Sequence, residues 1–219
     1  MLRDENSLLR LMTLFSPVFP IGGFAYSHGL EQAIHEGFIT SANELFNWLS
    51  DLLCHGSGHN DAIFIAETWK RAKNGENLQP VIDIANAIPA SKERNMETQL
   101  QGNAFCRAVG QMGFADQTYK ELPYPVAVGF FTQKMGLQLS AVLNAYLHGF
   151  SSNLVQAAIR LVPLGQSDGV CVMGKMEEII LAIVSNSDRL TIDCLGSCCF
   201  MSDIMAMRHE TLYSRIFRS

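Results

Sequence analysis

Between residues 172 and 184 the apolar residues Val172, Met173, Met176, Ile179, Ile180, Ile183 and Val184 recur at intervals of three and four. That spacing places them on one face of a helix and is incompatible with the two-residue period of a strand. No other stretch of the chain shows a convincing apolar–polar alternation. The sequence therefore predicts an all-α fold, a single-domain bundle of roughly eight to ten helices.

The punctuation agrees. Leu8, Leu11, Leu14 and Phe15 predict a first helix stopped by Pro17, and Leu30, Ala33 and Ile34 a short one after a turn-rich stretch. Ser41 and Glu44 stand at capping-box spacing ahead of Leu45, Trp48, Leu49 and Leu52. Ile63, Ile65, Ala66 and Trp69 predict another helix ending near Gly75, and residues 81–87 a weaker one closed by Pro89. Ser91 caps a long helix to about Val109, with Leu100, Ala104 and Ala108 spaced by four. Pro125 suits the first turn of the next helix. Residues 140–162 are helical in pattern, with Gly149, Ser151 and Ser152 as a point of kinking or division. A last helix is expected from about Gly196 to Met207, with Cys198 and Cys199 inside it.

Composition narrows the function. Of the 219 residues 48% are hydrophobic and 17% charged, so core material is ample and part of the surface is expected to be apolar, which favours oligomerisation. A formal charge of -5 argues against nucleic acid or an anionic membrane as the main partner. Arg3, Asp4 and Glu5 interrupt the first residues where a secretory signal would be apolar, and no run is long enough to span a bilayer. A cytoplasmic protein is expected. The six cysteines, at 54, 106, 171, 194, 198 and 199, are expected to be free thiols, mostly buried.

Three segments exceed what a plain bundle needs. Phe19 to Glu31 reads FPIGGFAYSHGLE, with Gly22 and Gly23 flanked by aromatic residues; no Walker-type Lys-Ser or Lys-Thr follows, so a turn between helices is favoured over a phosphate cradle. Arg160 to Gly169 reads RLVPLGQSDG, where Pro163 and Gly165 end one helix and Ser167 or Asp168 caps the next. The tail from Arg208 carries three Arg and one Glu, a formal +2 on a body of -7. With Tyr213, Ile216 and Phe217 interleaved, it reads either as an interface anchor or as a strap folded onto its own acidic body.

Taken together, FPIGGFAYSHGLE, RLVPLGQSDG and the closing MRHETLYSRIFRS resemble the UreF family of urease accessory proteins. Tyr124-Pro125-Val126 and the Ser151-to-Ala158 stretch also look like family positions, while residues 70–95 are the least similar. The resemblance implies an all-α domain, 1–207, followed by a partner-binding tail, 208–219. It implies a homodimer that joins a UreG-type GTPase and a UreD/UreH-type protein on apo-urease. Such a chain has no active site. It bridges its partners and modulates GTP-dependent nickel insertion, with no cofactor bound tightly and the nickel handled by the assembled complex. Carried over by position, the partner-binding residues are Gly22, Gly23, Tyr26 and Ser27 on the GTPase side. In the tail they are Arg208, Tyr213, Ser214, Arg215, Phe217, Arg218 and Ser219.

The residues alone offer two other chemistries. Catalysis would need a nucleophile and a base, and Ser27 with His28, or Cys54 with His55, are neighbours without any known catalytic signature around them. A nickel-binding metallochaperone is the stronger alternative. His55 and His59 are four apart, and Cys194, Cys198, Cys199 and His209 form a second possible donor set.

Overall fold

A computed structural model describes residues 2–218, with side chains from residue 5 onward. The described residues form ten α-helices and no strand. The first four are α1 (Leu2–Leu14), α2 (Leu30–His35), α3 (Ala42–His55) and α4 (Ser57–Asn74). Next come α5 (Gln79–Ala87), α6 (Lys92–Val109) and α7 (Tyr124–Lys134). The chain closes with α8 (Leu139–Leu161), α9 (Gln166–Ser185) and α10 (Phe200–His209). An all-α single domain is what the helical spacing predicted.

The centre is α4. Its residues 62–66 are all buried, so this helix is wrapped on every side instead of presenting one apolar stripe. Helix α7 can lie directly against it because a Cβ at Gly129 would come within 2.6 Å of the Ile65 carbonyl oxygen. Helix α9 packs on α3 and α8, and α10 packs on α2 and α6. Phe105, fully buried, sets its ring against Phe19, Tyr124 and the equally buried Phe131 in tilted and edge-on contacts that join α6, α7 and the 19–31 segment.

The caps follow the sequence. Ser41 Oγ accepts the Glu44 N–H at 3.3 Å, and the Glu44 carboxylate reaches back to the N–H of Thr40, one residue before the usual box partner. Asp168 accepts the N–H of Gly165 at 2.9 Å and closes the start of α9.

Four local expectations are corrected. Leu8 is 59% exposed and leaves the core stripe of α1 to Leu11 and Leu14. Helix α8 runs undivided through Gly149, Ser151 and Ser152. Cys198 and Cys199 precede α10 because the Cys198 N–H pairs with the His55 carbonyl across the chain, outside any helical ladder. The buried face of α6 is polar in its middle, with Glu97, Thr98 and Gln101 inside and Leu100 exposed, and apolar toward its end, with Phe105, Ala108 and Val109 inside. An apolar-period reading misplaces Leu100 because carboxylate and amide groups are paired inside at that level of the helix.

Candidate functional site

The 19–31 segment is a hub. Gly22 takes φ +74° and Gly29 φ +77°, and His28 between them takes φ +54°. At these left-handed positions the chain turns sharply, which sends Tyr26 and Ser27 inward and leaves Phe24 at the surface. At Gly29 a Cβ would lie 2.7 Å from the Ala206 amide nitrogen, so α2 and α10 meet there backbone to backbone. Gly23 is held differently, by its neighbour: a Cβ there would meet the Asn153 side chain of α8 at 3.1 Å.

One side of the hub opens on a cleft of about 790 Å³ that reaches from Gly22, Gly23 and Arg160 at its mouth to His28 and Glu97 inside. At its floor lies an ion-pair network. Arg94 Nη1 donates to Glu97 and Nη2 to Asp61, both at 2.8 Å, and the Tyr146 hydroxyl donates to Asp61 at 2.7 Å. His28 Nε2 is 3.1 Å from the Glu97 carboxylate. Burial alone would raise the Glu97 carboxyl, but the charges of Arg94 and His28 outweigh it and hold the group at about 2. Burial, with Asp61 alongside, pushes the Tyr124 and Tyr146 hydroxyls up.

His28 Nδ1 is also 3.4 Å from Ser57 Oγ, giving the order serine, histidine, glutamate. The Glu97 oxygen that faces His28 is the one shared with Arg94, so the carboxylate neutralises a buried guanidinium and is not reserved for orienting the imidazole. This arrangement belongs to an ion-pair network. Neither pair weighed from sequence forms a catalytic set: Ser27 Oγ accepts the Glu31 N–H at 3.3 Å, and His55 ends α3 with its side chain exposed.

The other side of the hub holds the tail. Glu31, only 6% exposed, accepts the backbone N–H of Ile216 at 2.7 Å and of Phe217 at 2.9 Å, one on each oxygen. His209, fully buried, sets Nε2 3.0 Å from Glu31 and Nδ1 2.7 Å from Glu93. Arg215 pairs with the second oxygen of Glu93, and the Arg218 N–H donates to the Ala25 carbonyl at 2.6 Å. Phe217 is 4% exposed, whereas Tyr213 is fully exposed. Of the two sequence readings of the tail, the strap folded onto its own acidic body describes residues 215–218.

The sequence-predicted residues thus separate by position. Gly22, Arg208, Tyr213, Ser214, Arg215 and Arg218 are at the surface, Gly23 is half-buried, and Tyr26, Ser27 and Phe217 are buried beneath them. Ser219 lies outside the described residues. Arg208 pairs with Glu36 at 2.7 Å. The 207/208 boundary falls inside α10, which continues to His209.

The first and third motif segments, far apart in sequence, therefore pack together around residues 22–31, and of the second Arg160 lines the cleft beside them. The UreF family model matches residues 39–177. A urease accessory protein UreF of Mesorhizobium japonicum is 46% identical over 97% of this chain and 96% of its own length. The urease accessory proteins UreF 1 of Brucella canis and Brucella anthropi are 44% and 42% identical, each over 98% of this chain and 95% of their own. This chain belongs to the UreF family. In this UreF-family chain the matched 39–177 span covers neither the glycine hub nor the tail, but the relatives align across both. Those relatives are named as accessory proteins, not as enzymes.

Sequence reasoning missed Asp61, Glu93, Arg94 and Glu97. Only Glu31 and His209 carried a signal, since they stand inside the first and third motifs. His55 and His59 do not share a helix face: α3 ends at His55, Gly56 breaks the chain, and His59 lies in the first turn of α4 with Nε2 3.3 Å from the Cys194 carbonyl. Among the described residues no three His, Cys, Asp or Glu side chains are grouped to hold a metal ion, and no helix is long and apolar enough to cross a membrane.

Proposed function

We propose that this chain is a non-catalytic scaffold of urease maturation. It bridges a UreG-type GTPase and a UreD/UreH-type protein and modulates GTP-dependent nickel insertion into apo-urease. The observation that carries this reading is the packing of the first motif segment against the tail on one side, with the cleft beside Gly22, Gly23 and Arg160 on the other. One short stretch of chain thereby supports two surfaces, as a bridging protein requires. The outer face of α10 continues the tail side with Phe200, Ile204 and Met207, exposed by 70%, 46% and 49%. An unpartnered apolar stripe of this size, beside exposed Tyr213 and Ile216, is suited to an interface core. The exposed Leu8, Leu9 and Met12 on α1 offer a second apolar face for a homodimer.

The test is size exclusion with light scattering, on the chain alone and mixed with its cognate GTPase and UreD/UreH-type protein. A complex of defined stoichiometry that fails with Gly23→Val on the GTPase side and with Tyr213→Ala/Ile216→Ala on the other is expected. Absence of any complex under all nucleotide and nickel conditions would overturn the reading. In this scheme nickel is cargo of the assembly. Equilibrium dialysis of the isolated chain should show no tight stoichiometric nickel that a His55→Ala/His59→Ala variant loses.

A further inference from the structure

Residues 215–218 are held as a bound peptide is held. Helix α10 ends at His209, and the anchor begins only at Arg215, after the exposed Tyr213 and Ser214. The body offers that anchor three recognition elements. Glu31 takes two successive backbone N–H groups, which both face one carboxylate because the chain bends at Ile216 and Phe217, and this asks for no particular side chain. Glu93 takes a guanidinium. The interior takes Phe217, a residue 4% exposed, beside a cleft of about 410 Å³ lined in part by Tyr26, Met96 and Leu100. The Ala25 carbonyl adds a fourth contact to the Arg218 N–H.

Each of these elements lies in residues 25–100, on the body of the protein. None depends on the covalent link through residues 210–214. We propose that the groove formed by Ala25, Glu31 and Glu93 is a peptide-recognition site for a bent Arg-x-Phe segment. It is filled in cis by the chain's own tail and accepts the same segment from the tail of a second copy. The buried His209 supports the site from below by joining Glu31 to Glu93, which fixes both carboxylates before a segment arrives. A short tether gives the cis tail a high effective concentration, so a free segment competes poorly until the cis anchor is weakened. This inference stands apart from the GTPase and UreD/UreH-type partners proposed above, because it needs only this chain and a second copy of it.

The experiment uses the full-length chain carrying Phe217→Ala and a fluorescein-labelled synthetic peptide matching residues 210–219, followed by fluorescence anisotropy. Saturable one-to-one binding is expected. It should weaken at least about tenfold when the peptide carries Phe217→Ala or Arg215→Glu, and by a similar factor when the natural chain replaces the variant. Where Phe217→Ala fails to fold, Arg215→Glu at an exposed position vacates the site by repelling Glu93 and takes its place. No saturable binding to a folded variant, or equal binding of the substituted peptides, would overturn the proposal. So would unchanged amide-exchange protection of residues 215–218 in both variants, since the anchor would then not be what holds the tail.

Discussion

Single side chains set the energetic stakes at the floor of the hub. Arg94, Asp61 and Glu97 are buried charges that stabilise only as a complete set, because removing one partner strands another in a low-dielectric interior. Glu97→Ala is therefore expected to cost about 3–5 kcal/mol, read from urea unfolding of the variant against the natural chain. The same carboxyl predicts an acid dependence. Its folded-state value of about 2 lies below the ordinary 4.5, so its contribution is complete above 4.5 and is lost as pH falls toward about 2. Unfolding series over that range should fall less steeply for Glu97→Gln; parallel curves would contradict the assignment. The thiols differ by surroundings in the same way. Burial pushes Cys106 up to about 11, and burial with Asp51 and Asp203 nearby does the same for Cys199, while Cys171 is exposed. Iodoacetamide at neutral pH should label Cys171 at least about tenfold faster than either, as peptide mapping would show.

Among the elements, the short loop before α2 determines where two helices and the tail can sit. Gly22 and Gly29 share a left-handed backbone but not their surroundings: a Cβ at Gly22 meets open space, whereas one at Gly29 meets α10. Gly22→Ala should cost about 1–2 kcal/mol from backbone strain alone. Gly29→Ala should cost more, since α10 must also move; thermal unfolding of the pair distinguishes the two terms. Gly23→Val acts by another route, through collision with Asn153, and local backbone angles are not the cause. Truncation is equally position-dependent. Cutting at 208 removes His209 and leaves Glu31 and Glu93 facing each other inside the protein, which destabilises the body itself. Cutting after His209 retains that support, so loss of partner capture without loss of fold is expected only for the second truncation.

At the scale of the molecule, the wrapped helix α4 and the buried polar network give a rigid frame, and the apolar faces of α10 and α1 remain outside it. That division suits a protein whose surface is finished by others. Concentration-dependent light scattering should show self-association that Leu8→Ser/Met12→Ser reduces if α1 supplies the dimer face. An unchanged association would direct attention to α10, where Ile204→Ser is the corresponding test.

The helical class, the caps at Ser41 and Ser91, and the breaks at Pro17, Pro89 and Pro163 were legible in the amino-acid order, because these are local properties of the backbone and its neighbouring side chains. That order also marked the three motif segments whose joint presence resembles one family. The tertiary structure alone decided which of their residues face outward, which way α6 turns, and that Glu31, Glu93 and His209 hold the tail. Those outcomes depend on charges brought together across more than a hundred residues of chain. A buried charge satisfied by a distant partner leaves no periodic trace in the sequence, and its favourable pairing exists only once the fold has placed both groups out of water.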